Sequence, residues 1–197
     1  MKEKITVNAY RKRLFPLMKS MISECKGLSN ALDFGSGDGY FAFLIGRQGI
    51  VNEIIPLDVL KRKNCFLEPV IYRGGEPVPY EERCFDLVYA IDVIHHCDNP
   101  LAIIKELTRC SGKYLLIKDH TYHNYFEKTV LSVLDEIGNR RFGVRSLCNY
   151  QYDHEWFKLI SDSGFKLEKL IQPVKCHVGP LGWFTNHLQF IALWSRI

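Results

Sequence analysis

The stretch Leu32-Asp33-Phe34-Gly35-Ser36-Gly37-Asp38-Gly39 decides the fold. A short apolar run, Asn30-Ala-Leu-Asp-Phe34, enters a turn with three alternate glycines, and Tyr40 to Arg47 continues with helical apolar spacing. This predicts a buried strand, a tight turn and a helix. Glycines in such a turn adopt backbone conformations that a Cβ forbids and let a ligand approach closely. The helix N-terminus then offers free N–H groups to a carboxylate or phosphate. Spacing separates the ligand classes. A dinucleotide fingerprint, G-x-G-x-x-G, needs glycine at position 40, where the chain has Tyr40. A P-loop needs Lys-Ser/Thr after its glycines, and none follows. What stands here is D-x-G-x-G-x-G, with Asp33 two residues before the first glycine.

Outward from this turn, strands and helices alternate. Toward the N-terminus, Val7 to Lys26 carries Leu14, Leu17, Met18, Met21 and Ile22 at helical spacing, with Pro16 marking a kink or a fresh start. Toward the C-terminus, strands are predicted at Glu53–Asp58, Pro69–Tyr72, Phe85–Ile91 and Gly112–Asp119. Helices are predicted at Pro100–Cys110, Tyr122–Ile137 and Asp153–Ser163, the last N-capped and closed by Gly164. Residues 138–152 read as a loop. Phe165–Ile171 and Leu188–Trp194 follow one another with no helix between, which predicts an antiparallel pair. The pattern is α/β, with a mostly parallel sheet and ligands beyond the carboxyl ends of its strands.

Composition narrows the class. The chain has 197 residues, 26 Lys+Arg against 22 Asp+Glu, and 47% hydrophobic residues, which suits one domain (1–197) and argues against disorder or a long coiled coil. A net charge of +4 is too mild to demand a polyanionic partner. Seven scattered cysteines without a C-x-x-C pair read as reduced thiols of a cytoplasmic protein, and neither they nor the seven histidines show a metal-ligand spacing. The N-terminus lacks the apolar core of a signal peptide. Cys176 to Ser195 contains no Lys, Arg, Asp or Glu, but Gly179-Pro180, Asn186, His187 and Gln189 interrupt it. It reads as a loop followed by a core strand, with no membrane insertion.

Residues 32–39 resemble the first motif of class I S-adenosylmethionine-dependent methyltransferases. Val78-Pro-Tyr80, then Cys84-Phe-Asp86-Leu-Val-Tyr-Ala-Ile-Asp92-Val-Ile-His95-His96, resembles the family's segment around strand four. Leu107-Thr-Arg109 and Gly112 to Ile117 resemble the helix and strand that follow. The match runs from about residue 28 to 120, and the chain is also similar to the small bacterial proteins of the methyltransferase type 11 family. The resemblance implies a Rossmann-like, seven-stranded, mostly parallel sheet with an antiparallel C-terminal hairpin and helices on both faces. It implies S-adenosyl-L-methionine as cofactor, with contacts from Asp33, Gly35, Ser36, Gly37, Gly39, Asp58, Val59, Ala90 and Ile91. Asp58 falls where the family holds the ribose hydroxyls, a task that suits a carboxylate. Arg73-Gly74-Gly75-Glu76 departs from the acid that commonly meets the adenine amine, which leaves Glu76 or the backbone around Gly75 for that contact. Tyr10 lies on an N-terminal helical cap (1–28) that in this family folds over the cofactor, while Arg11-Lys12-Arg13 reads as a solvated face.

Methyl transfer is an in-line displacement, and a hydroxyl acceptor must also lose a proton. His95 and His96 follow strand four; Asp119 and His120 follow strand five. The arrangement is similar to that of natural-product sugar O-methyltransferases, which implies His95 or His96 as general base, Asp119 as its orienting partner and His120 as a second candidate. The alternative for each histidine is a helix cap or a core position. Loops 138–152, with Gly138-Asn139, Gly143-Val144 and Asn149-Tyr150, and 173–187 are expected on the substrate side. Tyr150, Tyr152, Trp183 and Phe184 line an aromatic pocket there or serve as core and lid. The expected activity is methylation of a small-molecule hydroxyl. The alternatives are N-, S- or C-methylation of another metabolite, or a non-catalytic cofactor-binding module. No Asn/Asp-Pro-Pro-Tyr/Phe motif follows strand four, so nucleic acid is not expected, and the oligomeric state is left open.

Overall fold

In the computed structural model, which describes residues 7–139 and 147–197, five parallel strands come first and two antiparallel ones close the sheet. Strands β1 (Asn30–Phe34), β2 (Glu53–Asp58), β3 (Val70–Ile71), β4 (Phe85–Ile91) and β5 (Ser111–Tyr122) run parallel; β7 (Phe165–Ile171) and β8 (Gln189–Arg196) follow. The order is β3-β2-β1-β4-β5-β8-β7, with β8 antiparallel to both its neighbours. The chain reverses its direction of travel across the sheet between β1 and β4, the crevice where such sheets bind ligands.

Side-chain alternation along each strand feeds two cores. On one face, Ala31, Leu87, Tyr89 and Leu116 pack against α1 (Ala9–Ile22) and α2 (Tyr40–Arg47) through Leu14, Met18, Phe41 and Ile45. On the other, Leu32, Val88, Ala90 and Ile117 pack against α3 (Pro100–Cys110) and α5 (Glu155–Asp162) through Ile104, Leu107, Trp156 and Ile160. Both faces are covered, so the central strands read as nearly continuous apolar runs. The Asn99 side chain caps α3 by accepting the Ala102 N–H at 3.1 Å, and Pro100 occupies its first turn. Among the described residues, no helix is long and apolar enough to cross a membrane.

Several expectations are corrected. The seven expected strands form the path of the sheet, but residues 138–152 are not all loop: β5 runs past Asp119 to Tyr122, and its end pairs with an additional short strand, β6 (Gln151–Tyr152). A short helix, α6 (Gly179–Thr185), interrupts the connection between β7 and β8, since Pro180 lacks an N–H to lose and its φ suits a first turn. Asp153 does not cap α5: Asp153 and His154 take left-handed φ values of 39° and 61°, and Oε1 of the buried Gln151 side chain accepts the Trp156 N–H at 3.1 Å instead. Helix α1 runs through Pro16, and α4 (Tyr125–Asn139) includes Gly138 and Asn139. Gly143-Val144, and the parts of the cap and of the 138–152 loop that fall at 1–6 and 140–146, lie outside the described residues.

Candidate active site

The glycine turn hangs from β2. Gly35 and Ser36 donate to the Leu57 carbonyl at 2.8 and 3.1 Å, and Gly37 donates to Asp58 Oδ2 at 2.7 Å. Asp58 Oδ1 takes the Val59 and Leu60 N–H groups at 2.7 and 3.1 Å, so this carboxylate organises the turns after both β1 and β2. Gly35, Gly37 and Gly39 have φ of 69°, 62° and 72°, the left-handed region. A Cβ at Gly35 would meet Val93 Cγ2 at 2.2 Å and one at Gly39 would meet the Leu67 carbonyl at 2.5 Å. At Gly37 the nearest atom is Arg62 Nε at 3.9 Å, which leaves an open cradle. Ser36 Oγ is buried there without a hydrogen-bond partner among the described residues, a condition that a polar ligand relieves.

Asp33 lies under the turn at 2% exposure, in register with Tyr89. Burial pushes its carboxyl up to about 8, and the nearby Asp58 charge adds to the rise. Val59 is half exposed beside the turn, Ala90 is buried and Ile91 partly so. Glu76 is exposed and paired with Arg73 at 3.4 Å, and Gly75 has φ of 85° with open space around it.

Helix α1 is fastened to this region at two points. Arg11 forms a two-pronged pair with Asp38 inside the glycine turn and lies over the Tyr40 ring at 4.8 Å. It is therefore not part of a solvated face; Lys12 and Arg13 are exposed as expected. Tyr10 donates to Asp92 Oδ2 at 2.5 Å. Asp92, just past β4, holds a left-handed φ of 52° and pairs with the fully buried Lys118 ammonium, which also reaches Gln189. The Lys118 side chain is long and flexible enough to read as surface from sequence, and only the strand register shows that it is sealed between β4 and β8. Burial raises Tyr10 well above the usual phenol range, and Asp92 reinforces this.

The histidines gather where β4 and β5 end. His95 Nδ1 lies 2.5 Å from Asp119 Oδ1 with both side chains sealed from solvent. Asp119 also accepts the Ile94 N–H at 3.1 Å and the His120 N–H at 2.8 Å. Burial opposes charge on His95, but Asp119 and Asp135 outweigh it and hold the imidazolium up to about 10. His96 is driven down to about 4 by burial and by His95, and its Nε2 faces Asp135 at 3.7 Å. His120 is lowered by burial and by Lys118. Its Nδ1 lies 3.3 Å from Asp119 and 3.8 Å from Asp92, while Nε2 has no protein partner among the described residues. Tyr150 stacks on His95 at 5.0 Å and is buried. Tyr152 instead lines a cleft of about 910 Å³ along α4 with Tyr122, Tyr125, Val133 and Ile137, to which the glycine turn contributes nothing. Trp183 and Phe184 stand exposed on α6. The turn, Asp58, Asp92 and the histidine group share one end of the sheet, and Asp92, Lys118 and Arg11 are members that the sequence does not single out.

Residues 7–170 match the family described as a methyltransferase domain. No curated protein matches the chain. Among solved structures, an S-adenosylmethionine-dependent methyltransferase from Mesorhizobium loti is 13% identical, with 92% of this chain and 96% of that one covered at a TM-score of 0.66. A Thermotoga maritima protein described as a possible histamine N-methyltransferase is 15% identical, over 96% and 92%, at 0.64. Magnesium protoporphyrin IX methyltransferase from Synechocystis, with bound SAH, is 14% identical, over 99% and 90%, at 0.61. At these identities the likeness is one of fold.

Proposed function

Because the chain belongs to the family of methyltransferase domains, we propose that it methylates a hydroxyl of a small molecule, with His120 as the general base. S-Adenosylmethionine, when bound, supplies a methyl group on a positively charged sulfur that is open to in-line displacement. The residues that hold it are Gly35, Ser36, Gly37 and Gly39, with Asp58 and Val59 at the neighbouring turn and Gly75 or Glu76 beyond. Tyr10 and Arg11 draw α1 against Asp92 and the glycine turn, which excludes water from the reacting region.

One observation carries the choice of base: a neutral imidazole with one nitrogen within hydrogen-bond distance of a carboxylate and the other without a partner among the described residues. Asp119 keeps the His120 proton on Nδ1, so Nε2 is left to accept a hydroxyl proton. His95 already carries its proton and serves as the positioning residue that fixes Asp119. His96 faces Asp135 only at 3.7 Å, beyond hydrogen-bond distance, and its other nitrogen is sealed from solvent, which makes it the less open candidate. An amine or carbanion acceptor has less need of such a base, and this favours oxygen. The neighbours described as a magnesium protoporphyrin IX methyltransferase and a possible histamine N-methyltransferase support a small-molecule acceptor and do not bear on oxygen.

The test combines calorimetric titration of S-adenosylmethionine and S-adenosylhomocysteine with turnover on a panel of hydroxylated metabolites. The expected result is cofactor binding, S-adenosylhomocysteine release with a hydroxyl acceptor, and a loss of roughly 100-fold or more in His120→Gln at unchanged cofactor affinity. Wild-type turnover in that variant overturns the base. Binding without turnover on any acceptor overturns the enzyme reading in favour of a binding module.

A further inference from the structure

A second histidine cluster lies apart from the one just described. His123 follows the end of β5, and Asp153 and His154 follow β6. The pairing of these two strands brings them together: Tyr122 opposes Tyr152, the Asp153 N–H donates to the Tyr122 carbonyl at 3.0 Å, and the His154 N–H donates to Thr121 Oγ1 at 3.3 Å. His123 Nε2 stands 3.7 Å from Asp153 Oδ1, and His154 Nδ1 stands 3.9 Å from the same oxygen. One ligand atom from each of the three residues lies within 4.8 Å of the others.

The far side of each imidazole decides what these atoms are. Glu127 Oε2 accepts the His123 backbone N–H at 2.7 Å and lies 3.2 Å from His123 Nδ1. The same Glu127 oxygen accepts from the backbone and faces the ring nitrogen, which places the His123 proton on Nδ1. On the other imidazole, His154 Nε2 lies 2.6 Å from Gln172 Oε1. The Gln172 amide cannot be turned over, because its NH₂ donates to the His187 carbonyl at 2.8 Å. The His154 proton therefore sits on Nε2. Both remaining nitrogens, Nε2 of His123 and Nδ1 of His154, present lone pairs to a carboxylate.

We propose that His123, Asp153 and His154 form a binding site for a divalent cation of the zinc class, in which the pairing of β5 with β6 supplies the geometry and Glu127 and Gln172 fix the tautomers. Two imidazoles and one carboxylate are a zinc donor set, and a histidine ligand characteristically donates its other N–H to an oxygen acceptor. A proton satisfies one of these lone pairs at a time; a divalent cation satisfies all three. Zinc at about 2.0–2.1 Å from each ligand sets ligand atoms about 3.3 Å apart. The half-exposed His123 and exposed Asp153 side chains can close the remaining distance by rotation. Imidazole with carboxylate suits zinc, nickel or copper better than magnesium or calcium. The sequence carries no ligand spacing for this site, because 30 residues separate His123 from Asp153 and only the strand pairing joins them. The site would staple the end of β5, which carries Asp119 and His120, to the turn that opens α5.

The test is competitive titration of the full-length apoprotein with zinc against a chromophoric chelator, followed by cobalt substitution read in the visible spectrum. The expected result is one zinc per chain, a cobalt spectrum typical of nitrogen and oxygen ligands without thiolate bands, and a rise in thermal midpoint with zinc. His123→Ala and Asp153→Asn should each abolish the saturable site. Gln172→Ala keeps all three ligands and should weaken binding about 10–100-fold. Circular dichroism confirms that each variant is folded. Absence of binding in the wild type, thiolate bands in the cobalt spectrum, or binding that survives His123→Ala with His154→Ala overturns the proposal.

Discussion

His95 Nδ1 and Asp119 Oδ1 stand 2.5 Å apart at 1% and 0% side-chain exposure, joining the short turn after β4 to the end of β5. Two ionised groups in such a place persist because each offsets the other's desolvation and the remaining Asp119 lone pairs take the Ile94 and His120 N–H groups. Whatever acts at this end of the sheet is built on that pair.

Removing one partner leaves the other charged and buried. Asp119→Ala should cost about 3–5 kcal/mol in urea unfolding. The pH dependence carries a distinct sign. The His95 pKa is raised from 6.5 to about 10 on folding, so its contribution is full below about 6.5 and is lost as pH rises toward 10. The Asp119 pKa is depressed, so its contribution is full above the ordinary carboxylate value of 3.8 and is lost as pH falls. Unfolding free energy should therefore decline between pH 6.5 and 10 in the wild type, and much less in His95→Gln. An equal decline in both proteins counts against the pair.

The three glycines of the turn should separate by variant. Gly35→Ala and Gly39→Ala bring a Cβ to 2.2 Å from Val93 and 2.5 Å from the Leu67 carbonyl, so both should lower stability severely. Gly37→Ala meets nothing closer than 3.9 Å and should cost only about 1–2 kcal/mol for a left-handed alanine. Its methyl group projects into the cradle. The expected outcome is a folded Gly37→Ala protein whose affinity for S-adenosylmethionine falls at least tenfold in calorimetry.

Much of this site was legible in the sequence because the turn chemistry is local. The spacing of Gly35, Gly37 and Gly39, the acid at Asp58 and the strand Phe85–Ile91 all sit within one element or its next neighbour, and every described strand except β6 falls where an apolar run predicts it. Contacts between distant elements were not legible. Arg11 belongs to a basic triplet that patterns as surface, yet it pairs with Asp38 in the glycine turn after β1. Lys118 interrupts an apolar strand, and its burial follows only from having Asp92 on one neighbouring strand end and Gln189 on the other. The left-handed turn at Asp153 and His154 defeats a capping prediction because the Gln151 side chain takes the Trp156 N–H that a cap would have met.

The two fastenings of α1 should be separable. Tyr10→Phe removes the phenol that donates to Asp92 but keeps the ring near Lys118, and should cost about 1.5–3 kcal/mol, the range for a hydrogen bond to a charged group. Arg11→Ala removes the pair with Asp38 and the contact with Tyr40, and should raise hydrogen exchange along α1. Both variants should weaken cofactor binding, Arg11→Ala by loosening the turn itself. Exchange in α1 that is unchanged in both variants would show that the buried face of Leu14, Met18 and Met21 holds the helix alone.

Lys118 controls the protonation of the proposed base. His120 is lowered first by burial and then by the Lys118 charge, while Asp119 and Asp92 pull the other way. Replacing Lys118 with Met takes away a positive charge and leaves Asp92 with Tyr10 but no cation, and both changes favour the His120 imidazolium. The His120 pKa should therefore rise, which NMR titration of the histidine ring protons reads without knowledge of the acceptor. With an acceptor in hand, the acid limb of kcat/KM should move to higher pH by the same amount. If the ring titration shifts and the rate profile does not, His120 senses Lys118 without accepting the proton. If both move together, the group that titrates is the group that reacts.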